Sequence, residues 1–129
     1  MINKNIITFF LLIPILMGCR SSISYEPNGD YLPSAKFKQS YYSEVNILGG
    51  PVIGRLVTYK ITPINSGLNA FPGEYISRGG DKISDYNIVI IKGVPISTSD
   101  IEIEIYGSTY GTNHPGKEFN KTYKIKVVN

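Results

Sequence analysis

The sequence has one cysteine, one histidine and no tryptophan among its 129 residues. A lone Cys closes no internal disulfide, so a folded domain built from this chain rests on packing alone, even in an oxidising compartment. A zinc site takes three or four His and Cys ligands, and His114 with Cys19 supply two. A hydrolytic triad needs an imidazole or equivalent base beside its nucleophile, and His114 precedes Pro115 in a glycine-rich stretch that reads as a solvated turn. Carboxylates are scattered: Asp81, Asp85 and Asp100 lack the spacing of a calcium loop. Gly116 and Lys117 lack the glycine spacing and the following Ser or Thr of a phosphate loop. These shortages point away from an enzyme and away from any metal or dissociable cofactor. Charge of one sign is also scarce. Thirteen Lys and Arg against ten Asp and Glu, spread along the chain, do not make the basic stripe that nucleic acid demands.

What is present begins at the N-terminus. A charge at Lys4 is followed by a mostly apolar run, Ile6 to Leu16, and a small residue, Gly18, before the single Cys19. That is the three-part layout of a secretory signal. Eleven helical residues rise about 16 Å, half of a ~30 Å hydrocarbon core, so a spanning helix is not expected. Pro14 weakens one further. Leu16, Met17, Gly18 and Cys19 resemble the lipobox of bacterial lipoproteins. The one departure is Met17, bulkier than the residues usual two positions before the Cys. The resemblance implies cleavage between Gly18 and Cys19, with a covalent diacylglycerol and a further acyl chain on Cys19. Two or more chains anchor stably where one holds only marginally. In enteric members of the class an Asp after the lipidated Cys favours the inner membrane; Arg20 stands there, which favours the outer membrane of the cell envelope.

The organisation expected is a signal peptide over 1–18, a lipid-anchored flexible tether over 19–35 and a single β domain over 36–129. Arg20 to Ala35 is polar, with two Pro and the turn-forming Asn28, Gly29 and Asp30; as flexible chain it would reach ~20 to 24 Å. Beyond it, Lys36 to Leu48 reads as an extended run closed by Gly49, Gly50 and Pro51, pairing as a hairpin with the β-branched Val52 to Thr62. Glu74 to Ser77 and Ile83 to Lys92 flank a turn at Arg78 to Asp81. The clearest signal is IEIEIY over 101–106, with Ile101, Ile103 and Ile105 on one face and Glu102 and Glu104 on the other. YKIKV over 123–127 repeats the period with Lys124 and Lys126 outward, so an antiparallel pair would set Glu against Lys. No segment after the signal holds a helical period. The fold class is therefore all-β: a small antiparallel sandwich, immunoglobulin-like or transthyretin-like, or a barrel, of about six or seven strands.

Function is then sought in binding. The connection from Gly107 to Glu118 is longer than a hairpin needs and carries Tyr110, Asn113, His114 and Lys117. Tyr106 falls in phase with the outward glutamates beside it. A second irregular stretch, Pro63 to Gly73, holds Leu68 and Phe71, which either cover an open end of the sandwich or stand out as partner anchors. The expectation is an envelope lipoprotein, held to the membrane by its lipid, that binds another envelope protein as an accessory or pilotin-like assembly subunit. The alternative is a protective factor that inhibits or excludes an incoming enzyme, toxin or phage.

Overall fold

The computed structural model describes residues 22–111 and 116–129. The strands are β1 (Ser24–Glu26), β2 (Ala35–Lys36), β3 (Tyr41–Leu48), β4 (Thr58–Thr62), β5 (Leu68–Ile76), β6 (Lys82–Gly93), β7 (Ile101–Ser108), β8 (Glu118–Ile125) and β9 (Val127–Val128). They form one sheet in the order β1-β3-β6-β5, a second in the order β4-β7-β8, and a parallel pair β2-β9. If β1 and β2 are two halves of one first strand, and β8 and β9 two parts of the last, the order is first-second-fifth-fourth against third-sixth-seventh. That is the strand order of a constant-type immunoglobulin sandwich. Every pairing in the two larger sheets is antiparallel.

The two sheets meet through period-two patterning. Val45, Ile47, Val89 and Ile91 of the first sheet and Ile101, Ile103, Ile105, Tyr123 and Ile125 of the second are all essentially inaccessible and form one cluster. Each Ile buried in this way contributes ~1.5–3 kcal/mol. The β7-β8 pair is the one the alternation predicts, with Ile103 opposite Tyr123 and Glu102 opposite Lys124. Its ladder starts further back than YKIKV, at Ser108 opposite Glu118, and Glu104 faces Thr122 on one side and Lys60 on the other.

Three expectations are corrected. Val52 to Thr62 does not return beside β3; β4 pairs β7 in the opposite sheet, because the chain after Leu48 crosses over instead of turning back. Pro63 to Gly73 is irregular only as far as Gly67, since β5 begins at Leu68. The stretch read as a flexible tether is folded from Ser22 onward: β1 pairs β3 and β2 pairs β9, and Leu32 and Ala35 are buried in the core.

Backbone bonds and two tyrosines hold that N-terminal stretch. Lys124 N–H donates to Asp30 O at 2.7 Å, Leu32 N–H to Lys124 O at 3.0 Å, and Ala35 N–H and Phe37 N–H to Lys126 O and Val128 O at 2.8 Å each. The Tyr123 hydroxyl donates to Pro27 O at 2.6 Å and the Tyr41 hydroxyl to Pro33 O at 2.8 Å. Lys121 Nζ adds an ion pair to Asp30 at 3.2 Å. Turn residues that lack periodicity in sequence are thus ordered by partners nearly a hundred positions away.

The crossover after β3 is fixed by Asn87. Between Pro72/Val89 and Gly73/Asp85 the β5-β6 ladder skips Tyr86, Asn87 and Ile88, a bulge of the kind that re-aims side chains. Asn87 Nδ2 donates to Ile47 O at 2.9 Å and Gly50 O at 2.8 Å, while Oδ1 accepts from Val52 N–H at 3.0 Å. Gly49 itself, at φ 111°, lies so close to the N-terminal stretch that a Cβ there would fall 2.6 Å from Ser22 O. Only glycine serves at such a position.

The sandwich therefore has two distinct ends. One gathers Ser22, the 49–57 crossover, the β5-β6 turn and the β7-β8 connection, tied by Tyr110 N–H to Pro51 O and Ile53 N–H to Ser108 O. The other gathers residues 27–40, 63–67 and 94–100, tied by Ile96 N–H to Ser66 O, Val94 N–H to Gly67 O and Lys38 N–H to Pro95 O.

Two measurements test this packing. Asn87→Ala leaves two carbonyls and one N–H short of partners, so the urea midpoint should report a loss of about 3 kcal/mol or more, at ~1–3 kcal/mol for each unsatisfied buried group. Burial, then the charges of Tyr25 and Asp30, push the Tyr123 hydroxyl up to about 12; burial and Tyr86 push Tyr59 up to about 12. A proton held more tightly in the folded state gives stability that is intact below pH ~10 and falls between pH ~10 and ~12. Tyr123→Phe should cost about 1 kcal/mol at pH 7, from the lost bond to Pro27, and should make the alkaline decline shallower when urea midpoints are followed with pH.

Candidate functional site

The polar outer face of the second sheet is the simplest surface. Lys60, Thr62, Glu102, Glu104 and Thr122 line a small concavity there, and cross-strand neighbours of opposite charge account for them. Among the described residues the ion pairs are Lys82–Glu74 and Lys121–Asp30, so Glu102 and Lys124 stand opposite without forming one. This is a solvated sheet face.

The residues expected to bind a partner separate to opposite ends. Tyr106, at the end of β7, and Tyr110 beyond it are both exposed, at the end that holds Ser22. Tyr106 shares a concavity of about 560 Å³ with Leu56, Gly107, Ser108, Glu118, Phe119 and Asn120. Lys117 is exposed and continues the ladder: its N–H donates to Thr109 Oγ1 at 3.2 Å and its carbonyl accepts from Thr109 N–H at 2.9 Å. The long connection is therefore shorter than the sequence implies, because pairing persists to Thr109. Asn113 and His114 lie outside the described residues, as does Cys19 with the whole signal segment.

Leu68 is 4% exposed and belongs to the core; it is the first residue of β5, opposite Gly93, and covers the open end rather than anchoring a partner. Phe71, three residues on, faces outward with Lys92 Nζ 5.2 Å from its ring centre. It lines a concavity of about 430 Å³ with Tyr42, Asn69, Lys92 and Val94. Tyr41 and Tyr42 take opposite faces as adjacent strand residues must: Tyr41 is buried and Tyr42 exposed. The Tyr42 hydroxyl donates to Glu44 Oε1 at 2.5 Å, and that bond raises its pKa.

Beside this concavity the two connections of the same end expose further apolar side chains. Ile64 is 99% exposed, Ile96 62% and Val94 40%, in loops joined by the Ile96–Ser66 and Val94–Gly67 bonds. The sequence carried a signal for them that periodicity does not capture: an isoleucine or valine lodged between Pro, Gly and Ser in the runs 63–67 and 93–97 has no strand face to pack on. The surface combines aromatic and aliphatic area with the Lys92 ammonium beside Phe71, a combination that suits recognition of a protein surface.

Among the described residues no three His, Cys, Asp or Glu side chains gather to hold a metal, and no helix is long and apolar enough to cross a membrane. No protein-family model matches the chain, and neither a curated protein nor a solved structure matches it.

Leu68 and Phe71 should part company under mutation. Leu68→Ala should cost ~2–5 kcal/mol as a core truncation, read from the urea midpoint, whereas Phe71→Ala should stay within about 1 kcal/mol, since its ring lies on the outer sheet face, outside the core, beside Lys92.

Proposed function

We propose that this chain is a lipid-anchored envelope lipoprotein, attached through acylated Cys19, that acts as a non-enzymatic binding module and holds another envelope protein at the end of the sandwich remote from its anchor. The observation that carries the reading is apolar exposure without a core role. Ile64, Ile96, Val94, Tyr42 and Phe71 are between 40% and 99% exposed, on the two strands that flank β6 and on loops held by backbone hydrogen bonds. A soluble domain rarely spends aliphatic and aromatic area in this way unless a partner covers it.

The position fits an anchored protein. A strand of eight residues spans ~27 Å, so the far end of β3 stands that distance from the end near Ser22, clear of headgroups and free for a protein partner. Lys92 beside Phe71 favours a partner that sets a carboxylate next to an apolar contact. Diacylglycerol and acyl chains on Cys19 are the only non-protein groups the reading needs, and Arg20 favours the outer membrane.

The test uses a photoreactive side chain in place of Ile64, Phe71, Glu102 or Tyr106 in the full chain, activated in intact cells. Adducts of one defined mass from positions 64 and 71, absent from 102 and lost when Tyr42→Ala and Ile96→Ser are added, are expected. Adducts confined to position 106 would move the binding surface to the other end. Ile64→Ser with Ile96→Ser should leave the urea midpoint within about 0.5 kcal/mol, as for other surface substitutions.

A further inference from the structure

The β5-β6 hairpin is longer than the sandwich it belongs to. In the first sheet Ser24 pairs Leu48, and Asn46 pairs Ile88, which brings Ser24 level with Tyr86. The hairpin goes on: Gly73 pairs Asp85, Glu74 pairs Ser84, Tyr75 pairs Ile83 and Ile76 pairs Lys82. Four further residues carry it ~13 Å past the last rung of β1 and β3. There Glu74, Tyr75 and Ile76 and the facing Lys82, Ile83 and Ser84 are all exposed, so neither face of the tip rests on the domain. Tyr75 is 51% exposed, Ile76 62% and Ile83 39%. The turn holds its own shape, with Ser77 N–H donating to Asp81 O at 2.8 Å and Asp81 N–H to Ser77 Oγ at 3.1 Å.

This end is also where the anchor leaves. Ser22 already lies against Gly49, and two residues, Arg20 and Ser21, separate it from Cys19. Covalent geometry limits that link to ~10 Å. A hairpin that projects ~13 Å from the same end has the length needed to meet the headgroup layer. Its exposed side chains combine Tyr75, Ile76 and Ile83 with Arg78 at the tip, a Lys82–Glu74 ion pair and Asp81, so the tip is apolar and balanced in charge, and Leu56 and Tyr110 are exposed on the neighbouring connections. Tyr at headgroup depth beside basic residues is the pattern of a membrane–water boundary.

We infer that the β5-β6 hairpin, through Tyr75, Ile76, Ile83 and Arg78, docks on the lipid surface that holds Cys19, so that the sandwich stands end-on with its 27–40, 63–67 and 94–100 end directed away from the bilayer. The inference rests on the lipid-anchor reading and adds to it an orientation and a second membrane contact made by the fold itself. It also assigns Tyr110 to the lipid side.

The chain has no tryptophan, so single Trp substitutions are clean depth probes. The processed full-length chain is reconstituted in phosphatidylethanolamine and phosphatidylglycerol vesicles, with and without brominated acyl chains. Emission from Tyr75→Trp and from Ile83→Trp should shift to the blue and fall severalfold with brominated lipid, while Ile64→Trp should be unaffected. Two hairpin probes guard against one that misfolds. The mass of the N-terminal peptide reads the anchor independently. An acylated chain in which neither hairpin probe is quenched, or in which only Ile64→Trp is, overturns the orientation while leaving the anchor in place; a chain with no acyl mass on Cys19 overturns both.

Discussion

The bonding of residues 22–37 to the rest of the sandwich is the constraint from which the other features follow. Two hydroxyls reach out of the core to do it, Tyr123 to Pro27 O and Tyr41 to Pro33 O, and a parallel set of backbone bonds runs from Asp30 to Phe37 along Lys124 to Val128. The chain begins in one sheet as β1 and passes to the other as β2. Both sheets are thereby joined by continuous backbone near the start and the end of the domain, a role that a disulfide plays in many extracellular sandwiches and that a single Cys cannot play here. The same bonding leaves only a few residues between the fold and Cys19 in place of a tether of some twenty ångströms, so on the lipid-anchor reading proposed above the domain would have a definite end beside the bilayer.

Asn87 is the second fixed point, and it explains why a sheet of this order forms at all. A chain leaving β3 through Gly49, Gly50 and Pro51 has the turn residues to make a hairpin, and a hairpin would give a simple meander. Three hydrogen bonds from one amide side chain hold the crossover instead, and they exist because the bulge in β6 releases Asn87 from the ladder. Packing then decides: crossing over takes β4 to the edge of β7, whose Ile-rich face packs in one cluster with Val45, Ile47, Val89 and Ile91, and burial of that area outweighs the local preference for a turn.

Much of the fold was legible from local pattern. Period two in IEIEIY and YKIKV gave the β7-β8 pair, its inward face and the exposure of Tyr106; the glycines at 79 and 80 marked the β5-β6 turn. What local pattern could not show is long-range satisfaction. The N-terminal stretch is polar and rich in turn residues because its bonds are made by backbone and by distant tyrosines, not by a periodic apolar face, and the β3 crossover depends on Asn87, 35 or more positions away from its partners. The binding surfaces divided in the same way. Tyr110 stood out by its loop and is exposed; Leu68 stood out by the same reasoning and is core, because β5 starts one residue after Gly67. Ile64 and Ile96 carry no periodic signal, since a single apolar residue in a turn has no period, whereas the adjacent Tyr41 and Tyr42 of β3 must take opposite faces and one of them points outward on any register.

These features describe a small sandwich with two unlike ends: one carrying the exit to Cys19 and a projecting hairpin, the other carrying apolar side chains left exposed by the described residues. The account depends most on the N-terminal stretch being part of the fold, and amide hydrogen exchange on the processed chain tests that directly. The N–H groups of Leu32, Ala35 and Phe37, bonded to Lys124, Lys126 and Val128, should exchange as slowly as those of β7 and β8, because all open only with the domain. Exchange of these three at the rate of free peptide, with β7 and β8 protected, would mean a true tether, and would remove both the short link to Cys19 and the end-on orientation proposed from it.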